Sequence, residues 1–310
     1  MKLKFVFVLV LSSGILISAV CKKDKPLIKL PKEQRELFGY IPAVSFTLEA
    51  DFSSSILNGG LDSNRTVTLN SFYCATTEVS NLEYRNFLND LKTPELLRKA
   101  EIDSVRWRVP LQYNEPYVEL YHIHPAYDSY PAVNIPFEGA LMYCQWLEKK
   151  LNANSENEYF YRVNLPTREQ WIAAATGGLD LSPYPWGGPY VRNVKGRFLA
   201  NFNGLSAENI HYNEQTKSFE VVKSTGSAYY LLGSRNDYAD ITAPVDSFFP
   251  NGYKLYNMSG NVAEMVLEEG LACGGGWRST GFDIKCSSTM KYTTPQSDIG
   301  FRPVITLEMK

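Results

Sequence analysis

The segment YNMSGNVAEM, Tyr256 to Met265, constrains the fold more than any other stretch of the chain. Asn257, Gly260, Asn261 and Glu264 fall within it with neither the strand period nor the helix period, so it is no plain secondary-structure element. Irregular backbone must find partners for its own N–H and C=O groups. Here the chain supplies amide side chains, one carboxylate and a glycine that frees the backbone to offer carbonyls. Such hard oxygen donors suit Ca²⁺. A second oxygen-rich set lies upstream, with Asn201 in LANFNG and Asp237 in NDYADITAPVD. Asn and Asp also cap turns, their commonest role in loops, and that role competes with cation binding at every one of these positions.

The remainder of the chain frames these loops. Val44 to Ala50 and Arg65 to Phe72 alternate as strands, with Asn58-Gly59-Gly60 as a turn between them. Ser80 and Glu83 form a capping box that starts a helix with Tyr84, Phe87, Leu88 and Leu91 on one face. A second helix runs from near Pro136 to about Leu151, and its apolar face carries Ala140, Cys144, Leu147 and Leu151 as a buried free thiol requires. A third starts at Thr167, capped with Gln170, and turns Trp171, Ile172 and Ala175 inward. Beyond Gly177 the chain is punctuated by Gly, Pro, Asn and Asp, so only short strands are expected there. Twenty Tyr and sixteen Phe fit a loop-rich, aromatic-packed domain better than a helical bundle. Thirty-one basic against thirty-three acidic residues, with no Lys/Arg run, exclude nucleic acid as a partner.

Residues 1–20 read as a signal peptide. Lys2 and Lys4 precede an apolar run, Phe5 to Ile17, that is short for a membrane span. The run stops at Cys21, and the layout resembles a bacterial lipoprotein signal in which Cys21 is the acylated first residue. Soluble export and an uncleaved anchor are the alternatives, since Ser18 and Val20 are unusual before such a cysteine. Residues 21–43 then form a lipidated tether and 44–310 a single domain.

LPTREQW (Leu165 to Trp171), PYPWGGPYVRN (Pro183 to Asn193), GGGW (Gly274 to Trp277) and IGFRP (Ile299 to Pro303) follow in order around the oxygen-rich segments. With them the chain resembles the formylglycine-generating-enzyme, or sulfatase-modifying-factor, family from roughly Val44 onward. The resemblance implies an α+β, C-type-lectin-like fold, loop-rich, with few short strands and about three helices. It implies one structural Ca²⁺ on the Asn201 side chain, Phe202 carbonyl, Asp237 side chain and Ala239 carbonyl. A second would rest on the Asn257 side chain, the Gly260 and Val262 carbonyls and the Glu264 side chain. Active members use copper, O₂ and two cysteines just after the Gly-Gly-Ser-aromatic turn. At those positions this chain has Ser279 and Ile284, and Gly276 stands for the family serine. Serine lacks the soft thiolate that Cu(I) requires, so neither copper nor catalysis is expected. Pro303 and Ala175 stand where family disulfide cysteines would be, so those bridges are not expected either.

YNEPYVELYHIHPAYDSYPAV (Tyr113 to Val133) and GGLDLSPYPWGGPYVRNVKGRFLANFNG (Gly177 to Gly204) resemble the gliding-motility lipoproteins of type IX secretion, especially the ring-forming member. That likeness implies a non-catalytic, lipid-anchored scaffold at the periplasmic face of the outer membrane, with an envelope protein, such as a secretion-ring component, as partner. The chain is short between Arg85 and Tyr113 where the ring-forming members carry an insertion. An oxidase acting on peptide cysteines and a ligand-display module with Arg278 to Tyr292 as its face are the alternatives. His122 and His124 alternate as a pair on one strand face would, but have no third ligand nearby in sequence, so a surface loop accounts for them better. Tyr184, Trp186, Tyr190 and Trp277 either line a groove or fill the core.

Overall fold

Four short strands from distant parts of the chain form the central sheet, and two of them hide both of their faces. The computed structural model describes residues 30–48, 65–108, 114–153, 158–180, 182–203, 210–221, 239 and 241–310. Cys21, residues 1–29, the Asn58-Gly59-Gly60 turn and Asp237 lie outside the described residues.

In chain order the strands begin with β1 (Phe38–Ile41), β2 (Val44–Leu48), β3 (Arg65–Leu69), β4 (Phe72–Ala75), β5 (Tyr159–Asn164), β6 (Ile210–Asn213) and β7 (Ser218–Val221). They end with β8 (Ala263–Met265), β9 (Leu271–Cys273), β10 (Thr289–Lys291), β11 (Ile299–Gly300) and β12 (Val304–Met309). The α-helices are α1 (Asn81–Asp90), α2 (Pro94–Ala100), α3 (Glu115–Leu120), α4 (Phe137–Asn152) and α5 (Arg168–Ala175). The central sheet has the order β1-β4-β12-β5 and is antiparallel throughout. A second sheet, β10-β9-β8-β11, has one parallel pair, β11 with β8. β2 with β3 and β6 with β7 form separate two-stranded ribbons.

Side chains alternate across the central sheet as the pleat dictates. Tyr73, Ala75 and Ile305 join the core beneath α1 and α4, whereas Phe72, Cys74 and Val304 join a second core against α5. That two-sided burial explains why β4 reads as a continuous apolar run rather than an alternating strand. The three expected helices are present. Ser80 and Glu83 close a full capping box on α1, as do Thr167 and Gln170 on α5. Cys144 lies buried on α4 with Ala140 and Leu151. The short helices α2 and α3, each begun by a proline in its first turn, were not expected.

The folded unit also begins earlier than residue 44. Leu30 is 1% exposed, a 3-10 turn spans Lys32–Gln34, and β1 pairs with β4, so residues 30–43 belong to the domain and not to a tether. Phe38 and Ile41 are buried, which a solvated linker does not permit. No helix among the described residues is long and apolar enough to cross a membrane.

Candidate functional site

The irregular Tyr256–Met265 segment is organised around a buried guanidinium. Arg302, fully buried just after β11, donates from Nε to Glu264 Oε2 at 2.6 Å and from Nη2 to Glu264 Oε1 at 2.5 Å. Its remaining protons reach the carbonyls of Ala75, Thr76 and Tyr256. Trp171 Nε1 adds a bond to Glu264 Oε2 at 2.7 Å. A second buried carboxylate, Glu78, stands 4.0 Å from Arg302 and accepts from Asn261 Nδ2 at 2.9 Å and Asn257 Nδ2 at 3.2 Å. Two carboxylates thus face one guanidinium. Burial pushes the Glu78 carboxyl well above its ordinary range, with Arg302 opposing the shift and Glu264 adding to it.

Left-handed backbone makes the arrangement possible. Asn257, Gly260 and Asn261 have φ of 52°, 76° and 63°, a region that Gly and Asn tolerate better than other residues. The amides then stitch neighbouring loops together. Asn261 accepts from Ala243 N and donates to Ala243 O, Asn201 donates to Ile241 O, and Asn257 donates to Val245 O. Asn261 N also bonds Asn201 O at 2.7 Å, so the two oxygen-rich sets abut.

These contacts decide how well each set suits Ca²⁺. The Nδ2 of Asn201 and of Asn257 cap backbone carbonyls, while neither Oδ1 takes a hydrogen bond among the described residues. Both amide oxygens are therefore available to a hard cation. Phe202 is buried beside Asn201, and Ala239 is half-buried; Asp237 lies outside the described residues. Glu264 is the weaker member. Its Oε2 already accepts from Arg302 and Trp171, which leaves one lone pair on Oε1 for a metal. Asn201 and Asn257 thus keep an amide oxygen open to an ion, whereas Glu264 could offer one oxygen at most.

Ser279 and Ile284, the two positions to which the resemblance assigns copper thiols, lie together. Ser279 Cβ and Ile284 Cγ2 each sit 3.0 Å from the point a Cβ on Gly275 would occupy. Ser279 Oγ accepts from Gly276 N at 3.0 Å. Ile284 is fully buried with Tyr184, Ala200 and Phe202. A hydroxyl and an aliphatic side chain do not fit Cu(I). A Cβ on Gly276 would stand 2.6 Å from the Asp298 carbonyl, so the serine that the resemblance leads one to expect there is sterically opposed. The four described cysteines, Cys74, Cys144, Cys273 and Cys286, are free and buried. Burial pushes the Cys74 and Cys286 thiols up to about 12 and raises Cys144 and Cys273 as well, which keeps them protonated.

The sulfatase-modifying factor enzyme 1-like domain matches residues 30–307. The chain belongs to this family. Formylglycine-generating enzyme of Mus musculus is 27% identical over 260 residues, covering 74% of this chain and 57% of the relative. Inactive C-alpha-formylglycine-generating enzyme 2 of Bos taurus is 26% identical over 230 residues, covering 66% of this chain and 62% of the relative. The chain thus spans somewhat over half the length of these curated relatives. The solved structure of PvdO from Pseudomonas aeruginosa superposes with a TM-score of 0.55 at 18% identity, over 86% of this chain and 93% of PvdO. The expected formylglycine-generating-enzyme fold is therefore present, and the family contains members named as active and as inactive.

Within that family fold the histidine expectation changes, while the aromatics, Tyr190 apart, fill the core as favoured. His122 and His124 do not share a face. His122 is buried after α3, accepts from Trp107 Nε1 on Nε2, and faces Asn81 Oδ1 with Nδ1, which assigns the proton to Nδ1. Burial, helped by Arg85, lowers it to about 3, so it is a neutral peg and not a surface loop residue. His124 is exposed and accepts from Ala126 N. Tyr184, Trp186 and Trp277 pack as core fillers, the first two stacked at 4.9 Å, while Tyr190 is 75% exposed. Sequence reasoning missed Glu78 and the ion-pair role of Arg302. A lone Arg between IGF and PVI, both apolar, was the available signal, because a buried guanidinium requires a carboxylate partner.

Proposed function

We propose that this chain is a non-catalytic interaction protein of a bacterial cell envelope. In this proposal Cys21 carries a lipid that holds it at the periplasmic face of the outer membrane, beside a gliding-motility or type IX secretion-like assembly. Ca²⁺ at the Asn201 and Asn257 sets braces the loop surface that meets the partner. The observation that carries the proposal is the pair Ser279 and Ile284, a hydroxyl and a buried aliphatic side chain flanking Gly275 where catalytic thiols would have to stand. The raised, buried thiols elsewhere support it, since no other described cysteine offers a ready thiolate.

Two measurements test it. The purified protein, given copper, O₂ and a cysteine peptide, is expected to leave the peptide thiol intact by mass spectrometry; an aldehyde product refutes the non-catalytic claim. Affinity purification from membranes with the anchor intact is expected to recover an envelope partner, and Cys21→Ser to release the complex into the soluble fraction. A Cys21→Ser protein that stays on the membrane sinks the anchoring claim.

A further inference from the structure

The loops at 183–203 and 278–288 meet on one side of the molecule. Tyr184 Oη donates to Gly281 O at 2.7 Å, Cys286 N to Pro183 O at 2.8 Å and Asn203 N to Ser279 O at 2.8 Å. Beneath them Tyr184, Phe202 and Ile284 form one small core, with Val191 and Phe198 packed on it. The first loop doubles back as a tight hairpin, Asn193 N to Arg197 O and Leu199 N to Val191 O, with Asn193 Oδ1 capping Lys195 N and Arg197 N. The surface is therefore built on fixed backbone.

Its chemistry departs from that of the whole chain, whose formal net charge is −2. The two loops carry five basic residues, Arg192, Lys195, Arg197, Arg278 and Lys285, and one acidic residue, Asp283, which is tied to Thr280. Among the described residues, Arg192, Lys195, Arg197 and Lys285 have no carboxylate partner, and only Arg278 approaches one, Asp298 at 4.0 Å. Apolar side chains stand between the charges: Tyr190 is 75%, Phe282 70% and Val194 104% exposed. Arg192 lies over Phe198 at 3.6 Å while donating to Gly196 O, and Lys285 lies over Phe282 at 3.8 Å. Cations held on rings in this way lose little freedom when an anion arrives.

We propose that this face docks an acidic, aromatic-bearing polypeptide segment of the partner. The proposal rests on the interaction role above and names the surface and the partner chemistry for it. Arginine and aromatic side chains together are the residues that dominate protein interfaces, and a guanidinium fork matches a carboxylate in two bonds. A lipid headgroup would call on the same charges. The favoured occupant is nevertheless a peptide, because the apolar side chains are interleaved singly with the charges, as a chain with alternating side chains would need.

Fluorescence anisotropy of the full chain with a labelled peptide alternating glutamate pairs with tyrosine tests this. Binding is expected to weaken in high salt, and the charge-inverted lysine–tyrosine peptide is expected not to bind. Arg192→Ser, Lys195→Ser and Arg197→Ser together should weaken binding about tenfold, the combined loss of three exposed charge contacts. Arg98→Ser with Lys99→Ser on α2 should leave it unchanged. If the triple variant melts early, Lys195→Glu at the exposed hairpin tip replaces it and should weaken binding with an unchanged melt. Equal losses in the α2 variant, or binding to phosphatidylglycerol vesicles without binding to the acidic peptide, overturn the proposal. Failure of the peptide with partner recovery from membranes intact overturns this face alone; failure of both removes the interaction role as well.

Discussion

Arg302→Met removes the group on which the buried hub is centred. The guanidinium makes two bonds to Glu264 and three to main-chain carbonyls, all away from solvent. Breaking a buried ion pair from one side costs about 3–5 kcal/mol, mostly because the surviving charge is left without a partner. Whole-domain stability is roughly 5–15 kcal/mol, so the variant should still fold, with a urea midpoint well below that of the parent. Glu264→Gln should cost clearly less. Glu78 stands 4.0 Å from Arg302 and can ionise to replace the lost charge, while the Gln oxygen still accepts from Trp171 Nε1.

The double variant Arg302→Met with Glu264→Gln separates charge from hydrogen bonding. Removing the orphaned carboxylate should restore about 2 kcal/mol relative to Arg302→Met alone, and the residual loss belongs to the three carbonyls. Equilibrium urea unfolding at neutral pH of parent, both single variants and the double variant gives the coupling directly. Strict additivity, or a Glu264→Gln cost equal to that of Arg302→Met, would refute the shared-guanidinium account.

Glu78 makes a pH prediction with a definite sign. Its carboxyl is raised in the folded state, so its contribution is fully present below the ordinary carboxylate pKa and is lost as pH rises through the folded value of about 8. In EDTA the parent should therefore lose stability between about pH 5 and about pH 8, and Glu78→Gln should flatten that slope; parallel profiles would exclude it. If Ca²⁺ binds with a dissociation constant on the order of 10⁻⁴–10⁻³ M, ten millimolar calcium should stabilise by about 1.4–2.7 kcal/mol over EDTA, less in Asn201→Ala. An identical melt in calcium and chelator counts against a structural ion. Gly276→Ser should destabilise by about 1–3 kcal/mol through its clash with the Asp298 carbonyl; a variant as stable as the parent would show that the backbone gives way freely. Ellman's reagent should find Cys74, Cys144, Cys273 and Cys286 unreactive in the folded protein and fully reactive in urea. Rapid native labelling would contradict their burial.

Local signals carried the helices and the family fold because caps and amphipathic faces are written within a few residues. Ser80 with Glu83, Thr167 with Gln170, and the Cys144 face of α4 all sit where their spacing requires. Signals that depend on distant partners were hidden. β1 looked like linker because its pairing partner β4 lies more than thirty residues on, and the cores that bury Phe38 and Ile41 draw on segments more distant still. His122 looked like one of an exposed pair because Asn81 and Trp107, which enclose it, come from α1 and a separate turn. Glu78 could not be distinguished from a surface acid in TTEVSN, since its partners Asn257, Asn261 and Arg302 follow some 180 residues later or more.

The site around Gly275 bears most directly on the proposed absence of catalysis. A thiol pair for copper would need soft sulfur ligands at Ser279 and Ile284. Ile284 instead is fully buried and completes the core under Tyr184 and Phe202. Gly276 in turn lets the Asp298 carbonyl approach so closely that any side chain there would meet main chain. The two residues thus reinforce one another: one fills the space with apolar volume and the other closes it with backbone. Replacing Ile284 with cysteine would exchange packed volume for a smaller thiol and create a void, with a cost that grows with the cavity left behind. That packing supports the proposed non-catalytic docking role, with the basic and aromatic side chains of the two overlying loops as its working groups.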